Sequence, residues 1–334
     1  MSGRVTLEDV ARHANVSRSL VSIVIRDVPG ASSATRERVW VAARELGYRP
    51  DARARALAGR RSGLIGVMFG VDAGIFQFDL LEGLYVAAEQ RGLGLILSPV
   101  TRGRDERKAA ESLHDFRFDG LVMLGPPNQE PPLLAGRLPV VVVGWQVHHW
   151  AVDVVRTSDD HGMAQAVGHL VRLGHRDISH IDGGGTVISA SRRAGYESAM
   201  RAHNLESFIR VVPGGPAQID GQRAARALLA EGELPTALVT YNDDTAVAAM
   251  GLMAQQGIEI PRRLSVIGWD DNATAQLSPV GLTSVAQQAG EMARLAIERL
   301  ADRIKRRKVD DREIVLQSEL RVRSSTAQCV STLS

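Results

Sequence analysis

The chain has 334 residues, 44% of them hydrophobic, enough for a large buried core with a small domain appended to it. Its formal net charge of +2 conceals a division, because residues 1–61 carry twelve Arg against six Asp and Glu while the remainder carries 28 basic against 32 acidic residues. A basic excess confined to one end is the footprint of a phosphate-binding segment, and an evenly solvated surface would not show it. The lone cysteine, Cys329, excludes an intrachain disulfide and a multi-thiolate metal site. Met1 to Val10 has no apolar core for a signal peptide, and no apolar run approaches the roughly 18 residues of a membrane span. A soluble, cytoplasmic protein without a membrane partner is expected.

From the N-terminus, Thr6-Leu-Glu-Asp9 reads as a capping box, with Leu7, Val10, Ala11 and Ala14 as the apolar stripe of a short helix and Asn15 as its left-handed stop. Ser17 caps a second helix, Arg18 to about Arg26, which buries Leu20, Val21, Val24 and Ile25 and turns Arg18, Ser19, Ser22 and Arg26 outward. Two short helices joined in this way form a helix-turn-helix. A third helix runs from Ser32 through Thr35, Val39, Ala42, Ala43 and Leu46 to a stop at Gly47 and Pro50. Asp51 then caps a short helix, Ala52 to Ala58, that bears Arg53, Arg55 and Leu57 and is too short to stand alone in water.

Val5-Thr-Leu-Glu-Asp-Val-Ala, Val16-Ser17, Val21-Ser22, Thr35-Arg-Glu-Arg-Val39, Leu46-Gly-Tyr-x-Pro50 and Leu57-Ala58 together resemble the LacI/GalR family of bacterial transcription regulators. The resemblance implies double-stranded operator DNA as a partner. Thr6, Ser17, Arg18, Ser19, Ser22 and Arg26 would serve the helix-turn-helix contact. Arg53, Arg55 and Leu57 would serve a hinge helix, with Leu57 as a wedge between base steps of the minor groove. Ile23 stands where the family often carries Arg.

Beyond a basic linker at 60–63, apolar runs alternate with helical stretches. Strand Leu64 to Phe69, helix 78–91, strand Leu93 to Leu97, helix 105–117, strand Gly120 to Leu124, a Pro-rich turn and strand Val140 to Val143 form a first series. A second begins at Val152 to Arg156 and continues with helix 160–173, strand Ile178 to Ile181, helix 190–203, Val211-Val212, helix 219–231, strand Ala237 to Thr240, helix 244–256 and strand Leu264 to Gly268. Helix 286–306, a basic turn and strand Ile314 to Leu320 end the core, the last strand being long enough to cross back to the first lobe. The fold class expected is α/β: an N-terminal helix-turn-helix domain (1–50), a hinge helix and linker (51–62), a two-lobed doubly wound core (63–330) and a tail (331–334). The core resembles the family's effector-binding part, which is similar to periplasmic sugar-binding proteins and implies a ligand cleft and a homodimer. Residues 326–334 are too short and too poor in apolar repeats for a tetramer-forming heptad helix.

In open α/β sheets ligands sit beyond the carboxyl ends of the strands. Asp270, Asn242 and Arg192 lie after apolar runs or at a helix start, match the family's effector-binding positions, and suit a polyhydroxylated ligand. Each also has a structural role open to it, as a helix cap for Asn242 or Asp270 and as a surface charge for Arg192. Phe76, Phe78 and Trp145 are stacking candidates for an apolar sugar face, with core packing as the alternative. His148-His149 and His161 lack a third ligand at any metal-binding spacing, and Gly183-Gly-Gly185 lacks the features of a phosphate loop, so no metal and no cofactor are expected. The function expected is a repressor that binds a pseudo-palindromic operator as a dimer under control of a small effector, a sugar before a purine. An NAD-type oxidoreductase would need a glycine fingerprint that Gly70 to Phe76 lacks, and a sugar-binding transport protein would need no helix-turn-helix. The chain is not expected to be an enzyme.

Overall fold

The computed structural model describes residues 5–25, 28–48, 61–70, 74–101, 103–114, 116–125, 138–147, 152–278, 280–308 and 311–330. Arg26, Arg53, Arg55 and Leu57, with the expected hinge helix, the Pro-rich turn and His148-His149, lie outside them. Contacts divide the chain into two units, Met1–Gly63 and Leu64–Ser334.

In the first unit the expected capping box is present. The Thr6 N–H donates to Asp9 Oδ2 at 2.9 Å, and the Asp9 N–H donates back to Thr6 Oγ1 at 3.3 Å, opening helix α1 (Leu7–Ala14). Asn15 ends it at φ 52°, in the left-handed region that Asn tolerates. The Ser17 hydroxyl accepts from the Leu20 N–H at 3.2 Å to start α2 (Arg18–Ile25), and Ser32 caps α3 (Ser33–Glu45). Val10, Ala11, Ala14, Val21, Val24, Val39, Ala42 and Ala43 form the small core, while Leu20 and Ile25 are only half-buried.

The second unit begins with β1 (Leu64–Gly70), α4 (Phe76–Glu89), β2 (Gly94–Val100), α5 (Glu106–His114), β3 (Gly120–Leu124), β4 (Val140–Val143) and β5 (Asp153–Thr157). It continues through α6 (Asp159–Arg172), β6 (Ile178–Ile181), α7 (Val187–Ala202), β7 (Arg210–Val212), α8 (Gln218–Glu231), β8 (Ala237–Thr240) and α9 (Asp243–Gln255). Last come β9 (Ser265–Asp270), β10 (Thr283–Ala286), α10 (Ala289–Ile304), β11 (Glu313–Leu316) and β12 (Glu319–Arg321). One sheet has the order β11-β5-β4-β3-β1-β2 and is parallel throughout; the other has the order β12-β10-β9-β8-β6-β7 and is parallel except for β12. Runs such as Val140–Val143, buried at every residue, are what a sheet covered on both faces requires. No helix among the described residues is long and apolar enough to cross a membrane.

Three expectations about connectivity are corrected. The strand at 152–156 does not open the second lobe, because β5 pairs with β4 in the first sheet. The long C-terminal helix starts at Ala289, not 286, and buries Met292, Ala296, Ile297 and Leu300 among first-lobe residues; the preceding residues form β10. The expected strand at 314–320 is two short strands, β11 on the first sheet and β12 on the second. Among the described residues the chain therefore passes between lobes three times, near Ser158, Gln287 and Gln317, and hydrogen bonds join the passages. The Ser158 N–H donates to the Leu316 carbonyl at 3.0 Å, the Thr157 hydroxyl to Gln287 Oε1 at 2.7 Å, and the Gln288 amide to the Gln317 carbonyl at 2.9 Å.

Helices α8 and α9 are held close by Gly221, where a Cβ would overlap the Thr245 carbonyl, whereas the exposed Gly251 in α9 faces open space. Substituting each with Ala should give opposite signs in urea denaturation. Gly221→Ala should lose about 1–3 kcal/mol by overpacking, and Gly251→Ala should gain about 0.5–1 kcal/mol from helix propensity.

Candidate functional site

Two surfaces can carry function, one on each unit. On the first, α2 presents its N-terminal residues to solvent: Arg18 and Ser19 are exposed, Ser22 is half-exposed one turn on, and Val21 and Val24 on the other face anchor the helix. Thr6 and Ser17 are exposed at helix starts, each committed to a cap. The Thr6 hydroxyl bonded to Asp9 holds that carboxyl below its ordinary range. Ile23 packs toward the turn at Gly30, where a Cβ would stand 3.6 Å from its side chain.

On the second unit a cavity of about 440 Å³ lies between the lobes. Its first-lobe wall is mainly apolar, built from Met68, Phe69, Phe76, Leu80, Met123 and Val143; its second-lobe wall holds Thr186, Arg192, Tyr241, Asn242 and Asp270. The strand ends explain the division. Strands β1, β3 and β4 point their carboxyl ends at the cavity from one side, while β8 and β9 do so from the other, as in other open parallel sheets.

Arg192 is 4% exposed and sits in the second turn of α7, deeper in its helix than expected. Its Cζ lies 4.7 Å from the Tyr241 ring centroid and 4.6 Å from that of Trp269, a position that attracts a cation to both rings. Nη1 donates to the Tyr241 carbonyl at 2.5 Å, Nε to Asp159 Oδ1 at 3.4 Å, and Nη2 lies 3.8 Å from Asp270 Oδ1. Asp270 ends β9 at φ 109°, and its Oδ1 accepts from the Gln287 amide at 2.5 Å. Burial pushes its carboxyl up to about 7 against the pull of Arg192, with Asp244 and Asp159 adding to the rise. Near neutral pH this carboxyl can thus present either an acceptor or a donor to a ligand hydroxyl. Behind it Asp243, buried and accepting from Ser284 Oγ at 2.6 Å and the Asn272 N–H at 2.8 Å, is also raised, by burial first.

Asn242 lines the cavity and also caps α9. Its Oδ1 accepts from the Thr245 N–H at 2.8 Å and its Nδ2 donates to the Pro216 carbonyl at 2.9 Å, so the capping role weighed against binding is present alongside exposure to the cavity. Phe76 lines the cavity from the first turn of α4, which begins two residues earlier than expected. Trp145 is not among the residues that line it. The side chain is buried in the first-lobe apolar cluster that includes Met68, Val140, Val142 and Val152, the packing role that was the alternative to stacking. Phe78 points to solvent, 71% exposed. Tyr241, Gln287 and Gln77 line the cavity without having been singled out; Tyr241 adjoins Asn242 at the same strand end, whereas Gln287 lay hidden at the end of an unrecognised strand. Among the described residues no group of His, Cys, Asp and Glu could hold a metal ion.

The model of the lacI family of bacterial regulatory proteins matches residues 6–51, and that of the periplasmic binding protein-like domain matches residues 167–326. The transcriptional repressor PurR of Aliivibrio fischeri is 31% identical over 332 residues, 96% of this chain and 98% of its own. The chain belongs to the lacI family of bacterial regulatory proteins. A LacI transcriptional regulator from a Rhodococcus species, known as a crystal structure, is 35% identical with a TM-score of 0.75, over 80% of this chain and 99% of that one. The lac repressor dimer bound to operator and the anti-inducer ONPF is 26% identical with a TM-score of 0.85, over 97% of this chain and 100% of that one. Membership of this lacI family accounts for both surfaces at once, the helix-turn-helix and the cavity.

The raised Asp270 carboxyl makes a prediction in the absence of any ligand. Its folded value of about 7 exceeds the ordinary 3.8, so the folded state holds the proton more tightly and stability falls as pH rises from about 4 to 7. Asp270→Asn removes that slope. The melting temperature of the variant minus that of the parent should therefore increase between pH 5 and pH 8 in differential scanning calorimetry; a flat or falling difference would show that burial does not set this carboxyl.

Proposed function

We propose that this protein is a transcriptional repressor that binds a pseudo-palindromic operator in double-stranded DNA as a homodimer and responds to a small molecule held between the lobes of its second unit. One observation carries the reading: Arg192, Asn242 and Asp270 from one lobe meet Phe76 from the other in a single cavity, on a chain that opens with a helix-turn-helix. Arg18, Ser19 and Ser22 read bases from the start of the recognition helix, Thr6 and Ser17 set helix starts against the backbone, and Arg26, Arg53, Arg55 and Leu57 complete the contact. Twofold symmetry of a dimer requires matching half-sites.

The cavity's two walls support a sugar as the effector class. A hydroxyl-rich face finds an acceptor or donor at Asp270, a fixed guanidinium at Arg192 and an amide at Asn242, while a flatter apolar face rests on Phe76 and its neighbours. A sugar has both faces; a purine, with one ring face for the apolar wall and polar edges for the other, is the second class. The protein acts by binding and not by catalysis, in the cytoplasm. A periplasmic transport role would leave the helix-turn-helix without purpose, and nicotinamide chemistry would leave the cavity's carboxylates without one.

Two measurements test this. Arg18→Ala should cost about 1–3 kcal/mol of operator affinity and relax the preference at one base pair; unchanged preference in a competition gel shift would reject the base-reading assignment. Asp270→Ala should abolish the effector's influence on operator binding while leaving binding without effector intact. A variant that still bound the effector normally by calorimetry would remove Asp270 from the site.

A further inference from the structure

Helix α4, whose first turn supplies Phe76 and Gln77 to the cavity wall, has no cap of its own: Ile75 holds the N-cap position and offers no side-chain hydrogen bond. The missing partner comes from the other lobe. Asp244, in the first turn of α9, is 7% exposed, and its Oδ2 accepts from the Ile75 N–H at 3.3 Å. Gly74, at φ +80°, lets the backbone come this near, since a Cβ there would stand 2.7 Å from the same oxygen. The carboxylate thus lies at the N-terminal ends of two helices from two lobes, where both sets of backbone dipoles favour a negative charge.

We infer that Asp244 is an interlobe latch, capping α4 across the cleft and so holding the Phe76 and Gln77 wall in place over the cavity before any effector arrives. The latch is deliberately weak by its geometry. The single bond is long, and Asp244 Oδ1, buried, has no hydrogen-bond partner among the described residues, as has Gln77 Nε2 beside the cavity. Opening the cleft returns water to these atoms, so the closed form is favoured only modestly and the balance stays within reach of a ligand's differential affinity. That Asp244 also sets apparent effector affinity rests on the function proposed above; the latch itself does not.

The test needs no effector. Spin labels at Ser112→Cys in the first lobe and Ala227→Cys in the second, in a Cys329→Ser background and diluted into unlabelled chains, report the distance between lobes within one protomer. The parent should show one dominant short distance. Asp244→Ala should raise the ratio of long to short distances roughly fivefold, the size expected for loss of a helix cap. Asp244→Asn, which keeps an acceptor oxygen, should restore most of the short population. Ile75→Pro removes the donor while suiting the local φ of −66°, so it should reproduce the Asp244→Ala shift, and the double variant should add nothing to either. Unchanged distances in both single variants, additive shifts in the double variant, or no rescue by Asn would each overturn the latch. If the distances shift as stated but no sugar or purine alters operator binding, the latch stands and the effector reading fails.

Discussion

The second unit is organised around a guanidinium that has been taken out of water. Burying an isolated charge is prohibitive unless it is paired and hydrogen-bonded, and Arg192 is supplied with compensation by five groups: the rings of Tyr241 and Trp269, the Tyr241 carbonyl, and the carboxyl groups of Asp159 and Asp270. That requirement fixes which strand ends must meet. Helix α6 brings Asp159, β8 leads into Tyr241, β9 ends in Trp269 and Asp270, and α7 carries the guanidinium itself. The cavity's polar wall is the exposed edge of this arrangement. The polar groups that face the cavity are therefore held in fixed orientations, which limits the ordering cost of any association there.

From the same cluster a short chain of hydrogen bonds leads to the passages between lobes. Asp270 accepts from Gln287, and Gln287 in turn accepts from Thr157, so the residue facing the cavity is one bond from the crossing at Gln287 and two from the crossing near Ser158. A ligand that changes how Asp270 is protonated or paired must alter the partner of Gln287. Such a network is high-stakes in a low-dielectric interior, because a partly satisfied member costs more than it would in water. Asp270 thus joins the cavity wall to the hydrogen bonds of the crossings.

How much of this was legible in the sequence differs by element, for physical reasons. The helix-turn-helix was readable because capping, apolar spacing and the left-handed Asn15 are local signals, and the meeting of Arg192, Asn242 and Asp270 at one cavity was readable because parallel sheets gather residues at their carboxyl ends. The crossings were not readable. Val152 to Thr157 is as apolar beside β4 as it would be opening a new sheet, and nothing local says which sheet a strand will join. The Ile314 to Leu320 run reads as one strand because its break at Gln317-Ser318 carries neither Gly nor Pro; the lobes pull its halves onto different sheets. Trp145 misled for the opposite reason, since a large apolar ring after a strand fits a binding wall and a core equally well, and here the core at Met68 and Val140 claims it.

The two units carry two different chemistries. The first unit concentrates positive charge and reads by exposure; the second gathers buried carboxylates around one cation and reads by enclosure. A ligand between the lobes can bias the second unit only by binding its open and closed forms unequally, and such coupling is typically about 1–3 kcal/mol. A bias of that size is useful only if the unliganded lobes are nearly balanced. Three short crossings that hydrogen-bond to one another keep the cost of bending low, since the buried apolar clusters lie within single lobes, with the half-buried Ile188 of α7 reaching across to a first-lobe cluster. The long, under-satisfied contact of Asp244 with Ile75 supplies a small opposing preference for closure. Rigid lobes, a soft hinge and a weak closing contact together let an interaction worth one or two hydrogen bonds decide the state of a unit of some 270 residues.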